Sequence, residues 1–461
     1  QPMDGWIARL LEHLPEDGVW PSIELEAQVM ACGLAITLRD PAHELLARWA
    51  ERGLTLLRQL RPGAVRLKLA TYLLQHHLWR GEFARTSLIV DALPGLDPEG
   101  VLPTEALVWL ESVATHARYN AQFAQGREAI DRALALSRRH GLASHDYALH
   151  THAAALALAD GELAAARAHV QAMRPALQQQ PQEDQTHYWH MQAGLALHEG
   201  DTARALDLAR MTLSNSLEIG GPYRTAAHRL SLGQVLSARG ELPDALAEFD
   251  TALTIARAID AGLLEFTLQL MRGDVLMRSG QHAPADDALR DALARGAREG
   301  YRTTSGWWMP DALSRLAARA FALGIEVEFV TRWVRLHRLP CPDADGATSN
   351  CWPWRLKVRT FGGLTIERDG KVLGTQAGKA ARRPLQLLAA VAAQAPAPLS
   401  VAVAMQWLRP EHDDAAAQRK ALDAAVLRLR RLLGDEQWQH PDGGRLRLDA
   451  QTVWTDVGAL A

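Results

Sequence analysis

The sequence predicts a mainly α-helical protein: a right-handed α-solenoid of helix-turn-helix repeats of roughly 40 residues, followed by a small C-terminal α+β domain. Three observations lead to this prediction. Residues 1–335 show almost no strand pattern but carry much Ala, Leu and Arg at helical spacing. Short breaks, most of them centred on Gly, interrupt that stretch at regular intervals. Towards the C-terminus the pattern changes to strands, three helices and a hairpin.

The breaks in the N-terminal part recur with a period near forty residues. Their markers lie 39 to 44 residues apart and are Asp40, Gly81, Asn120, Gly161, Gly200, Gly240, Gly280 and Gly324. Each interval therefore holds two helices joined by a turn, in which a small residue lets the chain reverse. Because one pair cannot bury its apolar face alone, neighbouring pairs are expected to stack into a solenoid with a concave groove.

The C-terminal part has the element order of a winged helix. The predicted elements are extended chain over 355–366, a tight turn at Asp369-Gly370, helices over 379–393, 401–408 and 415–434, a hairpin turn at 442–444, and strand patterns over 445–448 and 452–454. Ser400 is expected to cap the second helix. Strands, three helices and a final hairpin predict a winged-helix domain.

The third of these helices has two unlike faces. Its apolar face recurs at three- and four-residue steps and holds Leu422, Val426, Leu429 and Leu433. The opposite face is mostly basic and holds Lys420, Ala424, Arg428 and Arg431. Residues 355–461 contain 16 Lys and Arg against 11 Asp and Glu, whereas the rest of the chain contains 34 against 42. The base-rich part is therefore the one suited to meet phosphate.

Several short motifs follow one another in this region. They are Trp352-Pro353-Trp354, Phe361-Gly362-Gly363, Glu367-Arg368-Asp369-Gly370, Gly378-Lys379-Ala380, Arg428-Leu429-Arg430-Arg431-Leu432-Leu433-Gly434 and Val453-Trp454-Thr455-Asp456. Together they resemble the OmpR/PhoB-type winged helix. They are most similar to the version found in bacterial activators of the SARP/BTAD kind and at the C-terminus of MalT-like ATP-dependent regulators.

The resemblance implies that the third helix enters the major groove of double-stranded DNA, while the hairpin and helix ends hold phosphates. The DNA-binding set that it implies is Lys379, Arg382, Gln418, Arg419, Lys420, Ala424, Arg428, Arg431, His440 and Arg445. The loop before the third helix corresponds to the one through which related domains touch RNA polymerase. The hypothesis for this loop is a polymerase contact by Glu411, Asp413 and Asp414.

The repeats resemble the tetratricopeptide-like sensor domain of MalT-like regulators. This resemblance divides the chain into a repeat domain over 1–339, a linker over 340–353 and a winged helix over 354–461. Because such regulators carry an ATPase ahead of the repeats and this chain begins at Gln1, we expect a missing N-terminal ATPase.

The stretch 374–380 is one residue too short for a phosphate loop and has Ala380 where Ser or Thr is needed. The chain itself is expected to be no enzyme and to need no cofactor.

The repeat groove offers two groups of candidate residues. One group is histidines without metal-ligand spacing, interpreted as packed or surface residues: His76, His77, His116, His145, His150, His152, His187 and His190. The other is an aromatic cluster beside Arg302, made of Tyr301, Trp307, Trp308 and Met309. The cluster either closes the last repeat or lines a ligand site, and the closing role is favoured.

These observations predict a cytoplasmic bacterial transcriptional regulator in which a helical-repeat sensor, holding an inducer or protein partner in its groove, controls a winged helix on DNA. Homo-oligomer formation is left open. No uncharged apolar run reaches eighteen residues, so no membrane partner is expected. The alternative is a protein-interaction scaffold whose winged helix no longer binds DNA. Ala421, Asp423 and Ala424 favour this alternative slightly, since they offer few hydrogen bonds to base edges.

Overall fold

The computed structural model describes residues 2–12, 20–38, 40–93, 101–179, 182–342, 351–373, 382–408, 414–433, 438–439, 444–449 and 453–460. The chain divides into two compact units, residues 1–308 and 309–461. The sequence assigned the helical segments between 309 and 339 to the repeats, whereas the structure groups them with the C-terminal strands. The functional labels of sensor and DNA-binding domain remain predictions.

The N-terminal unit is all helical in the ranges given above. Its helices are α1 (Pro2–Glu12), α2 (Ile23–Leu34), α3 (Leu45–Gln59), α4 (Ala64–Arg80), α5 (Phe83–Asp91), α6 (Pro103–Tyr119), α7 (Phe123–His140), α8 (Asp146–Ala159), α9 (Leu163–Met173), α10 (Gln182–His198), α11 (Thr202–Ile219), α12 (Pro222–Ala238), α13 (Leu242–Ala258), α14 (Gly262–Arg278) and α15 (His282–Glu299). Short 3-10 turns occupy Ala35–Leu38, Ala143–His145 and Arg174–Gln179.

The turns between paired helices confirm the predicted repeat. A left-handed glycine ends the first helix of five pairs: Gly81, Gly161, Gly200, Gly240 and Gly280, with φ between 77° and 83°. The next residue then donates its amide to a carbonyl five positions earlier, as Glu241 does to Leu236 at 2.9 Å. This bond closes the helix in a Schellman motif. Ala121 adopts the same conformation, with φ 55°, where the repeat has no glycine.

The helices pack in pairs, and the first helices of successive pairs lie side by side. Helix α4 contacts α6, α6 contacts α8, and α8 contacts α10. Within the pair α12–α13 the close approach requires a glycine, because a Cβ atom on Gly233 would lie 2.3 Å from the Phe249 ring. The small side chains of Ala245 and Ala252 are fully buried in the same helix pair. Such stacking buries the apolar faces that a single pair would leave in water.

The N-terminal unit also contacts itself across long stretches of sequence. Helix α4 contacts α14, and the rings of Trp79 and Tyr223 stack with centroids 4.7 Å apart. Arg80 donates to the Asp260 carboxylate at 2.9 Å. Because these contacts join an early repeat to late ones, the first helices of the intervening repeats surround a common space.

The C-terminal unit begins with two helices and continues as strands and helices. Its helices are α16 (Pro310–Leu323), α17 (Val327–His337), α18 (Arg382–Ala393), α19 (Val401–Leu408) and α20 (Ala415–Leu433). Its strands are β1 (Leu356–Arg359), β2 (Thr365–Arg368), β3 (Lys371–Leu373), β4 (Leu399–Ser400), β5 (Trp438–Gln439), β6 (Arg445–Leu448) and β7 (Val453–Thr455). This order of strands, three helices and a final hairpin is the predicted one.

The strands of the C-terminal unit form two small sheets. The first has the strand order β3-β2-β1-β7, with β1 and β7 parallel and Leu356 opposite Val453. The second has the order β4-β6-β5, with Leu399 opposite Leu446. Both sheets and all three helices contribute to one apolar core, which includes Leu388, Leu422, Leu429, Leu446 and Val453.

Hydrogen bonds from one loop fix the end of β7 against the first sheet. The Asp456 carboxylate accepts the amides of Thr360 and Phe361 at 2.6 and 2.8 Å. Partial burial raises the pKa of Asp456, but these hydrogen bonds to the charged form outweigh burial and hold it below its ordinary value. The strand turn is made by Asp369 and Gly370, both at positive φ as the predicted tight turn requires.

Trp352 accounts for the grouping of α16 and α17 with the strands. The sequence placed it in the linker, yet it is only 1% exposed and meets the ring of Phe321 in α16 edge-on at 5.8 Å. A buried indole contributes a large apolar area, so it anchors the chain that leads into β1 on α16. Residues 343–350, the greater part of the predicted linker, lie outside the described ranges.

None of the helices described here combines the length and the apolar character that crossing a lipid bilayer requires.

Candidate functional site

Helix α20 carries the predicted DNA-reading surface. Its inward face is buried through Leu422, Ala425, Leu429 and Leu433. Five of the predicted DNA-binding residues in this helix are exposed: Arg419, Lys420, Ala424, Arg428 and Arg431. Gln418, near the start of the helix, is half-buried. The amphipathic arrangement that the sequence predicted is therefore present, and it leaves the basic side chains in solvent.

Spacing along α20 separates this surface into a centre and two edges. At 100° per residue, Lys420, Ala424 and Arg431 lie within about 40° of one another and form the centre, whereas Arg419 and Arg428 lie at opposite edges. Leu427 also falls in the centre and is 50% exposed. Leu427 is not among the residues predicted from the sequence, although its position three residues after Ala424 was a sufficient signal.

Both ends of α20 are held by polar contacts. At the start, the Asp414 carboxylate accepts the Ala416 amide at 2.9 Å, as an N-cap does. At the end, the Arg368 side chain of β2 donates to the Leu432 carbonyl at 3.3 Å and neutralises part of the negative helix terminus. The Arg368 contact joins the end of α20 to the first sheet.

One basic residue of α20 is paired with an acidic neighbour. Arg419 donates to the Asp423 carboxylate at 3.2 Å, one helical turn away, and both side chains are more than half exposed. A pair of this kind is worth little in stability because water screens it. It nevertheless lowers the net positive charge on that edge of the surface.

The hairpin after α20 adds further positive charge. In β6 the side chains alternate, with Arg445 and Arg447 exposed and Leu446 and Leu448 buried. Of the other predicted residues, Lys379, His440, Glu411 and Asp413 and the side chain of Arg382 lie outside what the structure describes. The described part of the predicted set therefore consists of one helix face and the strand that would form the wing.

A cavity of about 400 Å³ lies within the N-terminal unit. Its walls come from the first helices of successive repeats, α4, α6, α8, α10 and α12, and from residues 305–307. The aromatic and basic members of the lining are Trp79, Arg118, Tyr119, Tyr147, His152, His187, His190, Tyr223, Arg224, His228 and Trp307. Three of these histidines and Trp307 were candidates from the sequence, whereas neither arginine and none of the tyrosines was.

The segment that follows α15 forms one wall of this cavity. Gln234 of α12 accepts the Trp307 amide at 3.2 Å and donates to the Trp307 carbonyl at 2.9 Å. The Ser305 amide donates to the Thr267 hydroxyl at 2.8 Å. The Trp307 indole stacks on His190 with centroids 5.0 Å apart. Side chains of α12 and α14 thus hold the backbone of residues 305–307, and the Trp307 ring packs on α10.

Three of the eight histidines named from the sequence make structural hydrogen bonds. Each of the three shares a hydrogen bond with a hydroxyl of a neighbouring helix or turn: His76 with Thr37 at 3.0 Å, His116 with Thr86 at 2.9 Å and His152 with Thr115 at 3.2 Å. Burial lowers the pKa of His76 to about 3 and those of His116 and His152 to about 4, so all are neutral at pH 7. Within the described ranges no three His, Cys, Asp or Glu side chains are placed to hold a metal ion.

No family model matches the chain, and no curated protein matches it either. Among solved structures it is similar to a Rap protein complexed with competence and sporulation factor, at 11% identity and a TM-score of 0.49 over 68% of this chain and 88% of that one. It is also similar to NprR in complex with its cognate peptide NprX, at 11% identity and a TM-score of 0.44 over 66% and 86%.

A third similar structure is the Rap conjugation gene regulator of the plasmid pLS20 in complex with the Phr* peptide. It is 12% identical, with a TM-score of 0.42 over 91% of this chain and 98% of that one. At such identities and scores, none of the three similarities assigns a function to this chain.

Proposed function

We propose that the chain is a transcriptional regulator in which the helical-repeat unit senses a ligand or partner and the C-terminal unit binds double-stranded DNA as an OmpR/PhoB-type winged helix. The observation that carries the proposal is helix α20. One of its faces is buried in the core, while Lys420, Arg428 and Arg431 are exposed on the other. A solvated basic face by itself is common, but here it precedes an exposed basic strand, as a reading helix precedes its wing.

The dimensions of α20 suit the major groove. An α-helix with side chains is about 10–12 Å wide, and the groove is about 12 Å wide. In this arrangement Ala424 and Leu427 face base edges, where apolar side chains contact the methyl group of thymine. Lys420 and Arg431 then flank them, Arg428 reaches a guanine or a phosphate from one edge, and Arg445 of the wing meets the backbone.

The remaining parts of the proposal concern control. The resemblance to MalT-like regulators implies an ATPase ahead of the repeats, and the chain described here is proposed to have no enzymatic activity of its own. The loop that ends at Asp414 is proposed to contact RNA polymerase, although the Asp414 carboxylate also caps α20. Charge reversal of Glu411 and Asp413, which leaves this cap intact, tests the contact. Unchanged transcription activation would exclude it.

A selection of genomic fragments by the full chain tests DNA binding directly. Bound fragments are sequenced at two salt concentrations, with Arg428→Ala as the variant and Arg332→Ala, an exposed arginine of α17, as the matched control. We expect a recurrent site. Arg428→Ala should weaken binding to it by about 1–3 kcal/mol if Arg428 reads a base, whereas Arg332→Ala should bind as the native chain does.

A second candidate function is a protein-interaction scaffold, and the pairing of Arg419 with Asp423 favours it. This pair and Ala424 leave part of the exposed face of α20 without net charge or hydrogen-bonding groups. Recovery of no DNA at either salt concentration would replace the regulator with the scaffold. Affinity that falls steeply with salt but ignores sequence would indicate phosphate contact alone.

A further inference from the structure

The cavity of the N-terminal unit has positive charge and no described negative charge in its lining. Arg118 and Arg224 both line it, and none of the lining residues that the structure describes is an Asp or a Glu. The imidazoles of His152, His190 and His228 are neutral, since burial lowers the pKa of each. The lining therefore offers the guanidinium group of Arg118 together with uncharged hydrogen-bonding groups.

Two pairs of stacked rings provide flat apolar walls. Trp79 of α4 stacks on Tyr223 of α12 with an interplanar angle of 18°, and His190 stacks on Trp307 at 22°. A Cβ atom on Gly194 would lie 2.5 Å from the Trp307 indole nitrogen, so the glycine leaves that ring the space to lie against α10. Planar walls of this kind favour a planar ligand, because ring faces pack with offset stacking.

Arg118 is the charged group best placed to select the ligand. Its guanidinium lies 4.4 Å from the centroid of the Tyr119 ring, and it belongs to none of the ion pairs between described residues. A carboxyl group on the same helix, Glu111, lies two turns away, and burial raises its pKa to about 7. Glu111 is therefore partly protonated near neutrality and opposes an anion less than an ordinary glutamate would.

We propose that this cavity binds a small organic anion, a planar apolar body bearing one carboxylate, with the carboxylate paired to Arg118 and the body lying against the stacked ring pairs. A volume of about 400 Å³ is within the range of small-molecule sites. An arginine and a carboxylate form two parallel charge-assisted hydrogen bonds, and a buried site strengthens them. The inference names the ligand class of the sensor, so its regulatory consequence rests on the proposed function, whereas the binding itself does not.

The carboxylate can come from a free acid or from the C-terminus of a peptide, and the test separates these sources. Binding to the full chain is measured by ligand-observed NMR and calorimetry. The probes are 3-phenylpropionate, 4-hydroxyphenylacetate and indole-3-acetate, each beside its uncharged amide, and a tetrapeptide ending in Phe with a free or amidated C-terminus. At least one carboxylate should bind at least about tenfold more tightly than its amide, as expected for one charge-assisted contact.

Variants then locate the binding in the cavity. Arg118→Met should weaken the carboxylate at least about tenfold and leave the amide unchanged, and Arg118→Lys should retain part of the difference. The matched control is Arg139→Met, an exposed arginine of α7, which should have no effect. Far-UV circular dichroism checks that each variant is folded, and Arg118→Gln replaces Arg118→Met if that variant unfolds.

Each outcome decides the proposal. If only the free peptide binds, the cavity is a site for a peptide C-terminus, and if free acids bind, it is a site for small acids. Equal binding of acids and amides, no binding of any probe, or unchanged binding in the folded arginine variants would overturn it. Arg428→Ala in α20 should leave ligand binding intact, so a failure of DNA binding and a failure of the cavity are told apart.

Discussion

The basic face of α20 and the cavity of the repeat unit place similar residue types in opposite environments. On α20, Arg428 and Arg431 are exposed, so water and salt screen each charge. Strong binding to DNA therefore needs the summed contribution of several such charges. In the cavity, desolvation has removed the charge from the histidines, and an arginine beside them acts in a low dielectric. A charged surface can therefore be predicted from the spacing of charged residues in the sequence. A buried polar site can be identified only from the fold that encloses it.

The largest effect expected from this comparison is on the stability of the buried site. Trp307→Ala removes an indole that is 3% exposed and stacked on His190, so it should destabilise the N-terminal unit by about 3–5 kcal/mol. The control is Trp407→Ala in α19, where the indole is 68% exposed and the change should stay within about 0.5 kcal/mol. Urea unfolding of the full chain measures both. Equal costs would show that residues 305–307 are no structural part of the inner wall.

A smaller effect on stability is expected when the pH is lowered. The pKa of His116 is lowered by burial to about 4, against about 6.5 in an unfolded chain, so the unfolded state binds the proton more tightly. The resulting stability is fully present above pH 6.5 and is lost as the pH falls towards 4. His116→Gln should therefore reduce the slope of the free energy of unfolding against pH by up to about 1.4 kcal/mol per pH unit.

Urea unfolding at several pH values between 4 and 7 measures this slope. His140→Gln, at an exposed site at the end of α7, is the control and should leave the slope unchanged. The raised pKa of Glu111 acts with the opposite sign, so the informative quantity is the difference between variant and native chain. If His116→Gln leaves the slope as it was, the His116 imidazole is not desolvated in the folded unit.

The smallest effect is expected on the exposed surface. Asp423→Asn removes the carboxylate that Arg419 contacts and frees its guanidinium for phosphate. Exposed pairs are worth about 0.2–1 kcal/mol, so DNA affinity should rise by a few-fold at low salt and less at high salt. Glu328→Gln, an exposed acidic residue of α17, controls for net charge. Equal gains from both changes would mean that only overall charge matters.

The sequence predicted the C-terminal elements closely because their signals are local. The apolar spacing of Leu422, Leu429 and Leu433 gave a helix over 415–434, and α20 spans Ala415–Leu433. Asp369-Gly370 predicted a tight turn, which both residues form at positive φ. The signal for the repeat period is equally local, since each Gly turn lies within its own repeat. The DNA-binding role of these residues is still a prediction.

The cavity could not be predicted for the opposite reason. Trp79 and Tyr223 stack although 143 residues separate them in the sequence, and Arg118 gives no signal within its own helix. Helix α14 is buried on nearly all sides, so it lacks the one-sided pattern that assigns an inner face. The tryptophan that the sequence assigned to a linker, Trp352, is likewise buried by a partner outside its local stretch.

The contact of α4 with α14 has a consequence for how the N-terminal unit folds. A linear repeat array can begin to fold at any repeat and lose repeats singly from its ends, because each repeat touches only its neighbours. Here Arg80 and Asp260 bridge distant repeats, and Phe83 meets Tyr301. The entropy of closing such long loops must be overcome before these contacts form, which slows folding. Once they have formed, opening one repeat disturbs the others, so the unit should unfold as a whole.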